Sequence, residues 1–362
     1  MTQSTTLATA MAPRLRIKNL AASTLVVAGA SAIYGFAPYN RFQLDRVYGI
    51  PGFSTIGYDF LFNAALTYVA LLAVYYLTER APAPAKSLLF VRLVGRFLRA
   101  PVATIRQRLT RDDSLALRVT LLKAFFAPMM AASLMAFATS ALQNGISIVS
   151  SHAYAAGFMA VFDRYGYWFA IQLILFVDVL VFTVGYVVEL PRLGNEIRSV
   201  DPTMLGWLAA LVCYPPFNHY TGIILGAPVS DFPRFDDPTA HLSLNLALLL
   251  LMAIYASASV ALGFKASNLT HRGIISRGPY AVIRHPAYVC KNMAWWIGSV
   301  PLVLTGFGHS AFEGIQAIAS AVAWSMIYVL RALTEEDHLR GVDGEYAAYA
   351  AKVRYRFIPG IY

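Results

Sequence analysis

Apolar runs of about twenty residues, each long enough to cross the hydrocarbon core of a bilayer as a helix, recur along this chain. Residues 58 to 77, 167 to 188 and 242 to 264 are the plainest of them. Hydrophobic residues make up 58% of the 362 and charged residues only 13%, against roughly 25% charged in an average soluble protein. The pattern reads as an all-α, polytopic integral membrane protein with about eight transmembrane helices. Further spans are expected near 20 to 37, 119 to 142, 204 to 225, 286 to 306 and 312 to 333.

The net charge of +10 raises the question of nucleic acid, but the basic residues are scattered between apolar spans and not gathered on a soluble domain. No nucleic-acid partner is expected. The charges instead set topology. With both termini in the cytoplasm, 24 of the 29 Lys and Arg fall in cytoplasmic segments, and only Arg41, Arg46, Arg164 and Arg234 fall outside. Nine of them lie in residues 78 to 118, where Arg92, Arg96 and Arg99 share one helical face and Leu89, Leu93 and Phe97 another. That stretch suits either an interfacial helix on anionic lipid or a solvated cytoplasmic loop. A break is expected at Pro82 to Pro84, just after Arg80.

Cys213 and Cys290 stand far apart, with no CxxC or His-Cys cluster beside them, so neither a disulfide framework nor a zinc site is expected. The first apolar run reads as a spanning helix, although Ala28-Gly29-Ala30 would also suit signal cleavage. The run from 204 to 225 is the weakest, because Cys213-Tyr-Pro-Pro-Phe-Asn-His219 interrupts it. Irregular backbone at membrane depth faces protein or a wet cavity. Asp178, alone in the middle of its span, marks either a functional group or a hydrogen-bonded helix contact. Without a visible acidic partner, the contact is the expectation.

The chemistry concentrates in residues 276 to 293, a polar, basic and aromatic interruption between two apolar runs. Gly278-Pro279 breaks the preceding structure, and Pro286 suits the first position of a new helix, where a proline loses no hydrogen bond. Tyr280, Arg284 and His285 precede that helix, Tyr288 is in its first turn and Lys291 one turn on. A helix start offers free backbone N–H groups to an anion, and tyrosine faces attract a cation.

Gly278-Pro279-Tyr280, Arg284-His285-Pro286 and Tyr288, followed by Arg331, Glu335-Glu336, Leu339, Tyr346, Tyr349 and the ending Arg356-Phe357-Ile358-Pro359-Gly360, resemble the isoprenylcysteine carboxyl methyltransferase family of integral membrane enzymes. The resemblance covers roughly residues 265 to 360. It implies two regions, a methyltransferase domain at 242 to 362 with a cytoplasmic cofactor site and an N-terminal transmembrane region at 1 to 241 of unassigned role. It also implies S-adenosylmethionine as methyl donor, with Tyr280, His285, Pro286, Ala287, Tyr288 and Glu335 as cofactor contacts. Arg272, Gly273, Ile274 and Ile275 join them by position, although the family's first contacts there include a histidine or other polar residue, for which only the neighbouring His271 would serve here. Arg331 becomes the acceptor-positioning residue.

Methyl transfer to an ionised carboxylate needs placement and electrostatics but no protein nucleophile. Transfer to an amine needs a proton acceptor, for which His285 or Glu336 would serve. The expected partner is a lipophilic or lipid substrate taken from the bilayer of a bacterial inner membrane. A phospholipid amine methyltransferase, an NADPH-dependent sterol-type reductase and a transporter or binding protein are the alternatives. On single-sequence grounds Arg331 and Glu335 also fit a plain ion pair four residues apart on one helix face.

Overall fold

The computed structural model describes residues 2–79, 83–150, 157–226 and 231–361, with side chains from residue 13 onward; Arg80 and Pro82 lie outside the described residues. The chain forms two compact units, Met1–Ala136 and Phe137–Tyr362. The second begins well upstream of residue 242.

The first unit contains α1 (Thr2–Phe36), α2 (Arg41–Leu44), a hairpin of β1 (Val47–Ile50) and β2 (Phe53–Ile56), α3 (Gly57–Thr78), α4 (Lys86–Arg99), α5 (Pro101–Arg106) and the start of α6 (Arg111–Ser150). Buried Asn19 on α1 fixes the chain entering α4. Its Nδ2 donates to the Ala83 carbonyl at 2.8 Å, and its Oδ1 accepts from Ala85 N–H at 3.0 Å. Helix α4 buries Leu88 and Leu93, while Phe97 stays exposed with the arginines. The expected apolar face is therefore rotated by about one residue, and Arg96 turns to Asp113 at 2.5 Å.

The second unit takes in the rest of α6 and then α7 (Phe158–Val161), α8 (Tyr167–Val187), β3 (Ser199–Val200), α9 (Met204–Leu211), α10 (Phe217–Leu225), α11 (Pro238–Leu262), β4 (Thr270–His271), α12 (Pro286–His309), α13 (Ala311–Val342) and α14 (Glu345–Lys352). Local sequence starts these helices cleanly. Asp237 accepts from Ala240 N–H ahead of Pro238, and Ser310 accepts from Glu313 N–H, the Ser-x-x-Glu arrangement of a capping box. Helix α8 packs on α11, α11 on α12, and α12 on α13, with α9 against α13 as well. Phe162, Tyr167, Ile171, Phe232, Leu248, Met252 and Ala294 form the apolar centre of this group.

Two glycines let backbones approach closely in this unit. A Cβ on Gly306 would come within 2.9 Å of Gly314 N, so the α12–α13 hairpin closes only with glycine there. A Cβ on Gly185 would run into the Ala266 carbonyl, which lets the 266–272 segment lie against α8. That segment pairs with β3, Ser199 opposite His271 and Val200 opposite Thr270.

Among the described residues six helices are long and apolar enough to cross a membrane: Pro13–Phe36, Gly57–Thr78, Arg111–Ser150, Phe158–Val187, Pro238–Lys265 and Ala311–Val342. The expected span at 204 to 225 is instead the two short helices α9 and α10, neither long enough to cross alone. Pro215 and Pro216 supply no N–H donors, so a helical ladder cannot run through them. The end of α10 is held to α13, where Ser320 Oγ and Trp324 Nε1 both donate to the Gly226 carbonyl at 3.3 Å.

Candidate functional site

The loop from Arg277 to His285 turns at Gly278, whose φ of +59° is in the left-handed region that favours glycine. It then pairs with the chain's last segment, as Arg284 N–H donates to the Tyr355 carbonyl at 3.0 Å and His285 N–H to the Arg356 carbonyl at 3.1 Å. Helix α12 starts at Pro286, and the side chain of His285 at its N-cap does not cap the first turn. The N–H groups of Ala287 and Tyr288 are left for another acceptor.

Glu336, fully buried on α13, ties this loop to the C-terminal segment. Its Oε1 accepts from His285 Nε2 at 3.1 Å and Arg356 Nε at 3.0 Å. Its Oε2 accepts from Arg284 Nη1 at 2.8 Å, Arg340 Nη2 at 2.7 Å and Arg356 Nη2 at 3.0 Å. A carboxylate so engaged has no lone pair left for a substrate proton, so Glu336 is a clasp and not a base. Because the carboxylate only accepts, the His285 proton sits on Nε2 and Nδ1 faces Glu335, 3.9 Å away.

One helical residue earlier the side chain does something else. Glu335 is about half exposed and accepts from the Tyr288 hydroxyl at 2.9 Å. The Tyr288 ring stacks on His285 with centroids 5.4 Å apart and planes 10° from parallel. Arg331 turns away from Glu335. It is 6% exposed, its Nη2 donates to Asn268 Oδ1 at 3.0 Å, and its guanidinium carbon lies 5.0 Å from the Tyr288 ring, 5.3 Å from Tyr328 and 5.6 Å from Tyr214. The ion pair that four-residue spacing allows is not formed.

These groups surround one cavity, with about 970 Å³ of atom-free space including its open mouth. Tyr280, His285, Ala287, Tyr288, Arg331 and Glu335 line it. Pro286 does not, although it starts the helix. Arg272, Gly273, Ile274 and Ile275 do not line it either. Arg272 is buried, donates from Nη1 to the Asn195 carbonyl at 2.8 Å, and is held below the usual guanidinium range by burial, with the Glu189 charge opposing. Ile274 and Ile275 border a separate recess with Lys265 and Arg277.

Tyr346 and Tyr349 support the wall from behind. Tyr349 donates its hydroxyl to the Tyr280 carbonyl at 2.9 Å, and buried Tyr346 lies under the Arg340 guanidinium at 5.9 Å. Burial, with the Glu335 charge next, pushes the Tyr280 phenol up, so it stays a neutral donor.

The cavity also takes Lys291, from the 276 to 293 stretch, and four residues that no motif marked: Tyr214, Tyr255, Asn268 and Tyr328. Asn268 is central. Its backbone N–H and Nδ2 both donate to the Tyr186 hydroxyl at 2.8 Å, which leaves Oδ1 for Arg331 and for the Tyr214 hydroxyl at 3.3 Å. The only sequence signal for Tyr214 was its place in the broken run after Cys213. Asp178 accepts from the Tyr255 hydroxyl at 2.8 Å and from Ser259 Oγ, so it makes the expected helix contact. Both cysteines are free, and no His, Cys, Asp and Glu cluster suited to a metal occurs among the described residues. Comparison of the chain with family models, curated proteins and solved structures gives no match.

Proposed function

We propose that this cavity is the site of an S-adenosylmethionine-dependent methyltransferase acting on the carboxylate of a lipophilic acceptor at the cytoplasmic face of a bacterial inner membrane. What supports the reading is that Tyr280, His285, Ala287, Tyr288, Arg331 and Glu335, drawn from two separate motif blocks, line one cavity. Taking the α9–α10 pair and α12 as two further passes beside the six long apolar helices, as the apolar runs at 204 to 225 and 286 to 306 suggest, would make eight. An even number puts both termini on one side, and the Lys and Arg bias makes that side the cytoplasm.

The residues present suit the donor. The uncapped N–H groups at the start of α12 and the half-exposed Glu335 carboxylate answer the carboxylate and the amino or hydroxyl groups of an amino acid nucleoside, while the Tyr280 and Tyr288 rings answer a sulfonium. When bound, S-adenosylmethionine supplies a methyl carbon that an acceptor oxygen attacks as the carbon–sulfur bond breaks, giving a methyl ester and a neutral thioether. Arg331 orients the acceptor carboxylate through its remaining N–H donors. Tyr288 holds Glu335 toward the donor side, and the His285 ring fixes the Tyr288 plane. No protein base is required, which agrees with the full engagement of Glu336.

Incubating the purified protein with methyl-labelled donor and a total lipid extract tests the proposal. Label in a base-labile lipid ester is expected. Label in a base-stable amine headgroup would move the acceptor to the amine class, and no transfer to any lipid fraction would overturn the reading.

A further inference from the structure

Lys291 stands three residues past Tyr288, about 4.5 Å further along α12 at 1.5 Å per residue, on the wall of the same cavity. Its Nζ lies 5.3 Å from the Trp295 ring centroid and 5.7 Å from those of Tyr255 and Tyr328. Three ring faces attract an ammonium but accept none of its N–H donors in the manner of an oxygen. Among the described residues Lys291 makes no hydrogen bond or ion pair. The carboxylates of Asp178 and Asp231 lie within its field without touching it, and both oxygens of Asp178 are taken by Tyr255 and Ser259.

Arg331 shares the Tyr328 ring with Lys291, its guanidinium carbon 5.3 Å from the centroid, and its described hydrogen bond goes to the neutral amide of Asn268. Of the three cations that line the cavity, Arg284 is paired with Glu336, while neither Lys291 nor Arg331 is bonded to a carboxylate among the described residues. Arg331 is buried and Lys291 half-buried, and cations so placed with no bonded carboxylate call for an anion. A simple ring-clamping role for Lys291 would account for the aromatic contacts. It would not account for a second cation facing the same space.

We infer that Lys291 is a second anion-binding point at the inner end of the cavity, for a carboxylate or phosphate of an amphiphilic ligand, and that it bars cationic amphiphiles. The inference deepens the methyltransferase reading and rests on its premise that an amphiphilic acceptor enters this cavity. The ring cage fixes the ammonium in place, so its three donors reach ligand oxygens without a long side chain having to be ordered first.

The test uses the full chain in nanodiscs of zwitterionic lipid, titrated with oleate, oleoyl lysophosphatidate or oleylamine and read by tryptophan fluorescence, since Trp295 borders the ammonium. Saturable binding of the anions but not of oleylamine is expected, and the stronger of the two anions tells carboxylate from phosphate. Lys291→Met, which keeps an apolar side chain among the rings, should weaken the anion by about tenfold or more, while Lys291→Arg should retain it. Oleylamine binding as well as oleate in the unmodified protein would overturn the inference without any variant. Anion binding unchanged in Lys291→Met would also overturn it. Anion binding that depends on Lys291 in a protein that transfers no methyl group would leave the site standing and remove the methyltransferase reading. Methyl transfer with an unchanged acceptor KM in Lys291→Met would do the reverse.

Discussion

Arg331 and Glu335 stand four residues apart on α13 and point to different ends of one cavity, the guanidinium inward to Asn268 and the carboxylate outward to the Tyr288 hydroxyl. Helical spacing alone would pair them. Burial separates them, because Arg331 is 6% exposed beneath three tyrosines whereas the Glu335 side chain is 47% exposed. The division predicts separable defects. Arg331→Ala is expected to leave donor binding nearly intact and to slow methyl transfer by about 10- to 100-fold, from the roughly 1.5–3 kcal/mol of a charge-assisted hydrogen bond. Glu335→Ala should weaken donor binding instead. Calorimetric titration of the donor into each variant, beside transfer assays, measures both. Equal loss of donor affinity in the two would show that they serve one structural purpose.

Glu336 predicts a stability effect that its neighbour does not. Replacing it by alanine leaves Arg284, Arg356 and His285 facing one another in the interior with their anion gone. Breaking a buried charge cluster from one side costs about 3–5 kcal/mol. Glu336→Ala should therefore lower the thermal midpoint sharply and expose the segment after Val353 to proteolysis, since that segment is held to the loop through Arg356. Glu335→Ala should do neither. A Glu336→Ala protein with unchanged midpoint and protease pattern would remove the clasp.

Asp343, just past the end of α13, gives the fold a pH dependence of known sign. Burial opposes its charge, but the Glu345 N–H, His271 Nε2 at 2.6 Å and the Arg198 charge together hold its carboxyl below the usual aspartate range. A carboxyl with a depressed folded value stabilises the protein above its unfolded value of about 3.9 and loses that contribution as pH falls through the folded one. Asp343→Asn should then be less stable than the unmodified protein near neutrality, and the gap should close as pH falls below about 4. Midpoints measured across that range check it. A gap that is constant with pH would mean that Asp343 acts by shape alone.

The long spans and the helix start at Pro286 were legible because apolar length and proline position act locally. Tyr280, His285, Tyr288, Arg331 and Glu335 were legible as a set only through resemblance, since nothing in their spacing says that two blocks meet. Asn268 and Tyr214 were not legible. Each owes its place to long-range pairing, Asn268 to the Tyr186 hydroxyl and to the approach that Gly185 permits, Tyr214 to a break in a helix whose path the sequence left open. Lys291 was visible one turn into α12, but its significance depends on rings from α11 and α13 that no local pattern brings to it. Arg272 shows the converse, a residue carried over by position whose Nη1 donates to the Asn195 and Phe264 carbonyls outside the cavity.

His285 and Tyr288 stack on the cavity wall with their planes 10° from parallel, and the donor is expected to bind against them. A ligand that binds only the folded protein raises its stability by about 2.7 kcal/mol at one hundred times its Kd, enough to move a thermal midpoint by several degrees. S-adenosylmethionine and its demethylated product should both produce that rise in the purified protein, and NADPH should not. Tyr288→Ala combined with His285→Ala should abolish it. Because His285 also donates to Glu336, the double variant begins less stable, so the comparison is the shift on adding ligand and not the midpoint itself. Tyr288→Phe supplies the control. It keeps the stack and loses only the hydroxyl bond to Glu335, so a reduced but measurable rise is expected. A rise with NADPH alone would instead assign the cavity to a reductase, and an undiminished rise in the double variant would place the donor elsewhere.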